Sequence, residues 1–375
     1  MSVLTNAIPL SPRWQAAWLR SRSWDFTWIT FSVVLVPIPY LIYLGITALP
    51  QIFQPVANTF GTTLDDLSRN LVNSIVALLV GGPHMYATFT RTALDHEFAR
   101  VHKKFLWSSL VIPVIVTVLA LVNLPILLTL FFMWASVHVL HQIIYIVELY
   151  NQKQPSEPRL LPRLADYGVV LTALYPVAAW KIARGTFQIG LNDINAVVGS
   201  IIPLGPWIVW AAGGAFGIAM LVWLASNWLE WRQGRLFWPK VLFVLITVIV
   251  AFLVPGLGNL DTAFQGMNVW HSFQYLALTW MLNNLRQQRG ELKSSPLVAR
   301  LSNHNAARRY YLFNIGLTIA DVGLALVIFV VLRMVLGMPF DHAFDRAYYI
   351  AVLSFLWMHY YHDHYLFSQP KVIRD

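Results

Sequence analysis

The feature that most limits what this chain can fold into is a succession of apolar windows, each about as long as a bilayer core is thick. A membrane-crossing helix needs about 20 mostly apolar residues. Windows of that length fall near 27–48, 70–92, 104–122, 125–149, 164–182, 206–228, 239–257, 262–285, 310–336 and 345–366, leaving little of the 375-residue chain between them. In lipid every backbone N–H and C=O must be paired within the protein, and a helix does this segment by segment. The expectation is an all-α, polytopic membrane bundle of about ten transmembrane helices. It forms one integral domain, with an N-terminal segment 1–26, the bundle 27–366 and a tail 367–375. Only 11% of residues are charged, against about a quarter in soluble domains.

The net charge of +9 raises nucleic acid as a partner, but the cations are scattered between apolar runs rather than gathered into a patch. With both termini cytoplasmic, 21 of the 26 Lys and Arg residues fall in inner segments. The other five are Arg69, Lys181, Arg184, Arg333 and Arg346. Such a split is what the positive-inside rule predicts, and an odd number of spans would scramble it. The expected setting is a multi-pass protein of a bacterial-type inner membrane, in contact with membrane lipids and with no nucleic acid. There is no cysteine, so disulfides, thiolate metal sites and iron–sulfur clusters are excluded. Pro37 and Pro39 predict a kink in the first span.

Histidine placement carries the functional signal. In this topology the even-numbered spans run from outside to inside. Four of those five hold intramembrane histidine: His84; His138 with His141; His271; and His359 with His362 and His364. The odd-numbered spans hold none. His84 lies seven residues before Arg91, His141 twelve before Lys153, His271 fifteen before Arg286 and His362 nine before Lys371. At 1.5 Å per residue these are depths of about 10 to 23 Å from the inner charges. Titratable groups in a membrane are costly and are seldom kept for packing.

Helical spacing gathers other polar groups beside them. His138, His141, Tyr145 and Glu148 form one stripe, with Gln142 next to it. Asn268, His271 and Tyr275 form another, flanked by Gln274. His84 aligns with Thr88, Arg91 and Asp95, and His359 with His362 and Asp363. Asp321 is an isolated intramembrane carboxylate in the ninth span. The expected metal ligands are His84, His138, His141, His271, His359 and His362, with His364 and Asp363 as further candidates. Glu148, Asp321, Tyr145 and Gln274 are the candidates for catalytic or orienting roles. His96, His102 and His304 fall in basic inner loops, and His342 in an outer one. Imidazole and carboxylate suit iron, zinc, manganese or copper, and so many ligands exceed one tetrahedral zinc site. Two metal ions are expected.

The arrangement resembles the histidine-rich integral-membrane non-haem di-iron superfamily of fatty acid desaturases, fatty acid and sterol hydroxylases, alkane hydroxylases and carotenoid oxygenases. The motifs that carry the resemblance are His138-Val139-Leu140-His141-Gln142 and His359-Tyr360-Tyr361-His362-Asp363-His364. It covers the style of the site rather than the length of the chain. It implies two iron ions, O₂-dependent hydroxylation, desaturation or cleavage of a lipid, isoprenoid or carotenoid, and an external electron donor. No flavin or nucleotide fingerprint is present. Two other classes stay open. One is a haem b- or pigment-binding subunit of an electron-transfer complex, with histidine as axial ligand. The other is a proton-coupled or metal transporter using the histidines and Asp321 as relays.

Overall fold

The computed structural model describes residues 17–369, apart from 155–158, 187, 190–191, 202–204 and 257–259. The described residues are helical, with one two-residue antiparallel ladder, Gln188–Ile189 against Asn192–Asp193. In chain order the helices are α1 (Arg22–Thr47), α2 (Pro50–Thr59), α3 (Leu64–Arg91), α4 (His96–Val101), α5 (Lys103–Val122), α6 (Leu124–Lys153), α7 (Leu160–Ala173) and α8 (Tyr175–Ala183). They continue with α9 (Ile194–Ile201), α10 (Trp207–Arg232), α11 (Trp238–Gly256), α12 (Leu260–Gln288), α13 (Pro296–Leu301), α14 (Ala307–Met334) and α15 (Phe340–Phe367).

Every expected window is helical, but six helices among the described residues are long and apolar enough to cross a bilayer: α1, α3, α5, α6, α10 and α14. The others depart for visible reasons. The fifth window is interrupted after Ala173, where a new helix starts at Tyr175-Pro176. The apolar part of α11 stops at Val254. α12 and α15 have the length but are diluted by polar side chains, Asn268, His271, Gln274 and Asn283 on one and His359, His362 and Asp363 on the other. Those diluting residues are buried, apart from half-buried Asn268. The outward faces carry the large apolar side chains, as on α5 and α14. α10 is the extreme case: 6% of its apolar window is buried, so it lies on the lipid-facing rim.

α1 and α3 are irregular where proline requires it. A proline cannot donate to the carbonyl four residues back. Before Pro37, α1 runs as a π turn (Phe26–Thr30) and a 3₁₀ turn (Phe31–Leu35). The Val33 carbonyl that Pro37 cannot use accepts from the Val36 N–H at 3.0 Å. Before Pro83, α3 widens into a π turn at Ala77–Gly81. The freed Leu79 carbonyl accepts from the Tyr311 hydroxyl of α14 at 2.6 Å. The wide turn ends three residues before His84 and sets its position.

α12 packs against α1, α3 and α11, while α15 packs against α5, α6 and α14. α6 lies between the two groups. Polar pairs pin the helices together away from this centre: Lys240 to Asp166 at 2.7 Å, Arg163 to Glu148 at 2.8 Å and Arg286 to Asp95 at 2.7 Å. Gly266 sets the α1–α12 distance, because a Cβ there would sit 2.2 Å from the Val36 carbonyl oxygen. Gly266→Ala is expected to destabilise the bundle by about 1–3 kcal/mol through overpacking. Gly316→Ala, with nothing within 4 Å of its added carbon, should change stability by less than about 0.5 kcal/mol. Thermal unfolding of the two variants in the same detergent compares them.

Candidate metal centre

Four histidines from four helices meet inside the bundle: His84 of α3, His138 of α6, His271 of α12 and His359 of α15. All four are buried, and their ligating nitrogens lie within 4.8 Å of one another. The rings form a closed cycle. Centroids are 4.5 Å apart for His84 and His359, 4.8 Å for His359 and His138, 5.0 Å for His138 and His271, and 5.1 Å for His271 and His84. Neighbouring planes are turned by 65° to 87°. Neighbouring imidazoles therefore meet edge to face.

Hydrogen bonds around the cycle select the tautomers. His84 Nδ1 is 2.6 Å from the Gly81 carbonyl, which can only accept, so the proton sits on Nδ1 and the Nε2 lone pair is free. Around His359 the chain runs outward. Thr88 Oγ1 donates to Asp363 Oδ1 at 2.9 Å, so at 2.5 Å from His359 Nδ1 it accepts from that ring. Again Nε2 is left as a lone pair. Tyr275 donates to the same Asp363 oxygen at 2.6 Å. Gln142 donates to the His271 backbone carbonyl at 3.1 Å, tying α6 to α12 beside the centre.

The Nε2 atoms of His84, His138, His271 and His359 are buried without a hydrogen-bond partner, as is Asp363 Oδ2. That oxygen is 3.6 Å from His359 Nδ1 and 4.0 Å from His138 Nε2. Leaving a buried polar atom unmatched costs about 1–3 kcal/mol, and His271 has both ring nitrogens without a partner. A cation bound among the four rings removes that penalty. Neutral nitrogen donors with one carboxylate at the edge fit a first-row transition ion, and Thr88 and Gly81 orient the rings as outer partners of metal-bound histidine do. Arg91, itself buried, faces Asp363, Tyr145 and Tyr275 and balances the carboxylate.

The other expected residues lie elsewhere. His141 is half-buried and packs on exposed His364 at 5.1 Å and on Phe367 at 5.3 Å. His362 is buried, but its ring sits against Phe105 and Phe89, outside the group of four. The reason is angular. Three residues along an α-helix fall short of a full turn by about 60°, so in each HxxH pair the first histidine points inward and the second swings off.

Glu148 is occupied by Arg163, by the Tyr167 hydroxyl at 2.6 Å and by Asn151 at 2.8 Å, joining α6 to α7. Gln274 donates to the Ile29 carbonyl in the π turn of α1 at 2.6 Å. Tyr145 stacks on Phe367 at 4.8 Å. Asp321 is buried near Tyr86, away from the four rings. Thr88 and Tyr275 were in register with His84 and His271, but nothing in their spacing marks them as partners of Asp363. Thr92, which lies 3.1 Å from His362 Nδ1, carries no such signal either.

Beside the centre, α3, α5, α14 and α15 enclose an apolar cavity of about 510 Å³ with His362 in its wall.

Comparison with known protein families, curated proteins and solved structures gives no match.

His84→Ala, His138→Ala, His271→Ala and His359→Ala are each expected to leave the purified protein with less than about a tenth of its bound metal. His141→Ala and His364→Ala should retain it, as read by elemental analysis. Thr88→Ala should keep the ligands but weaken metal binding by about 10- to 100-fold, measured by competition with a chelator.

Proposed function

We propose that this chain is a multi-pass membrane oxidoreductase whose four-histidine centre holds a redox-active transition metal, with iron as the first choice, and uses O₂ on a hydrophobic substrate taken from the bilayer. The observation that carries this reading is the set of four buried histidines whose ligating nitrogens lie within 4.8 Å of one another, each with a ring nitrogen that has no hydrogen-bond partner. The donor set favours one ion over two, because His141, His362 and His364 lie outside the group. When bound, such an ion supplies one-electron chemistry that makes O₂ reactive toward unactivated carbon.

The protein's own part follows from the geometry. His84, His138, His271 and His359 fix the ion, and Asp363 stands ready beside them with one uncommitted oxygen. Tyr275 and Thr88 hold protons on Asp363 Oδ1. Burial of every one of these groups excludes bulk water, which protects a reactive site from side reactions. The charge split supports ten crossings, both termini in the cytoplasm of a bacterial-type cell, and a centre in the inner half of the membrane. Electrons then come from a separate donor on that side. The tight cycle of rings, 4.5 to 5.1 Å between neighbouring centroids, argues against a porphyrin among them.

Iron-loaded wild type, given reductant and bilayer lipid extract, should consume O₂ and yield a lipid product altered by gain of oxygen or loss of hydrogen. His271→Ala should lower the rate by more than about tenfold. A wild-type protein that binds less than half an equivalent of any transition metal, or binds it and shows no O₂ uptake above the His271→Ala background, would sink the proposal.

A further inference from the structure

The sequence grouped His362 with the metal ligands, and the structure places it in the wall of the apolar cavity instead. That wall also includes Tyr86 and Phe89 of α3, Phe313 of α14 and Phe355 of α15, with Lys103 as its one charged side chain. On α5 it includes Trp107 and Leu110, which are 71% and 50% exposed and face the lipid. The cavity therefore lies where a membrane-dissolved molecule can enter from the side. A volume of about 510 Å³ falls in the range of small-ligand sites.

The hydrogen bonds of His362 say what that molecule must offer. Thr92 has one hydroxyl proton, and it goes to the Thr88 carbonyl at 3.1 Å. With that proton committed to the carbonyl, Thr92 Oγ1 accepts from His362 Nδ1, 3.1 Å away, and this arrangement puts the imidazole proton on Nδ1. Nε2 is left as a bare lone pair, buried and without a protein partner. It calls for a hydrogen-bond donor. An ionised carboxylate, an ester, an ether or a hydrocarbon brings none; a hydroxyl does.

We propose that this cavity binds a single-chain lipid alcohol, with its hydroxyl donating to His362 Nε2 and its apolar chain lying among the aromatic and aliphatic walls. His362 is then a ligand-recognising residue and not a metal ligand. Calling the alcohol the substrate rests on the function proposed above; the binding itself does not.

The test uses full-length protein in detergent and a conjugated-polyene C18 alcohol as probe, followed by energy transfer from tryptophan. The methyl ether of the same chain serves as the comparison. Wild type should bind the alcohol about five- to tenfold more tightly than the ether, the difference made by one buried hydrogen bond. His362→Phe should erase that preference while keeping the metal content of wild type. Leu106→Trp, which fills the cavity from α5, should weaken both probes by at least about tenfold.

Equal binding of alcohol and ether by wild type would overturn the proposal. So would a preference that survives in His362→Phe, unaltered binding in Leu106→Trp, or loss of metal in His362→Phe, which would return His362 to the ligand set. A wild type that binds no metal yet prefers the alcohol would end the oxidoreductase reading and leave this one standing.

Discussion

Four buried imidazoles whose ring nitrogens lie within 4.8 Å of one another are the arrangement on which the rest of this bundle depends. Left to themselves the rings would turn away, and two of them are held by hydrogen bonds from outside the cycle. The Gly81 carbonyl fixes His84 and Thr88 fixes His359, while Gln142 anchors the His271 backbone. These restraints come from α3 and α6, which carry two of the four rings themselves. The irregular course of α3 belongs to the same system, because the π turn before Pro83 sets the depth and rotation of His84. Tyr311 of α14 then satisfies the carbonyl that the proline strands. Features that look like separate irregularities therefore serve one focus.

The helical character, the inward polar faces and the identity of the four ligand helices were all legible in the sequence. Period and depth are local properties, and His84, His138, His271 and His359 each announce theirs. The partition within each HxxH pair was not legible. A spacing of three places two residues roughly on one face, and whether the second joins its neighbour depends on where the adjacent helices sit. His141 and His362 swing to opposite uses, one toward exposed His364 and one toward an apolar cavity. Glu148 was misleading in a different way. Its stripe with His138 is real, but the stripe is long, and at its inner end Arg163 and Tyr167 of α7 claim the carboxylate. Those partners are 15 and 19 residues away, on a helix whose rotation the sequence does not give.

Charge is handled by a division of labour. Along the centre, polar atoms are kept unmatched and convergent, with Arg91 as the compensating cation for Asp363. Toward the ends of the helices, carboxylates are paired directly: Asp166 with Lys240 and with the indole N–H of Trp223 at 2.9 Å, and Asp95 with Arg286 and with the Ser295 hydroxyl at 3.0 Å. Removing one member of a buried pair strands the other charge, whereas such a pair in place adds little net stability. The value of these pairs is geometric. They fix the rotation of α7, α11 and α12, and through them the faces that reach the four rings.

The spread of the ligands along the chain has a consequence for how the protein comes into being. His84 enters the membrane early in synthesis, and His359 belongs to α15, which emerges after every other helix described here. No shorter nascent chain holds more than three of the four rings. The inward polar faces of α3, α6 and α12 must therefore wait in the bilayer, matched only by one another, until α15 arrives. For a centre that holds an ion as proposed, capture would then be the closing event of biogenesis, and cellular metal supply would act on the finished bundle rather than on its insertion.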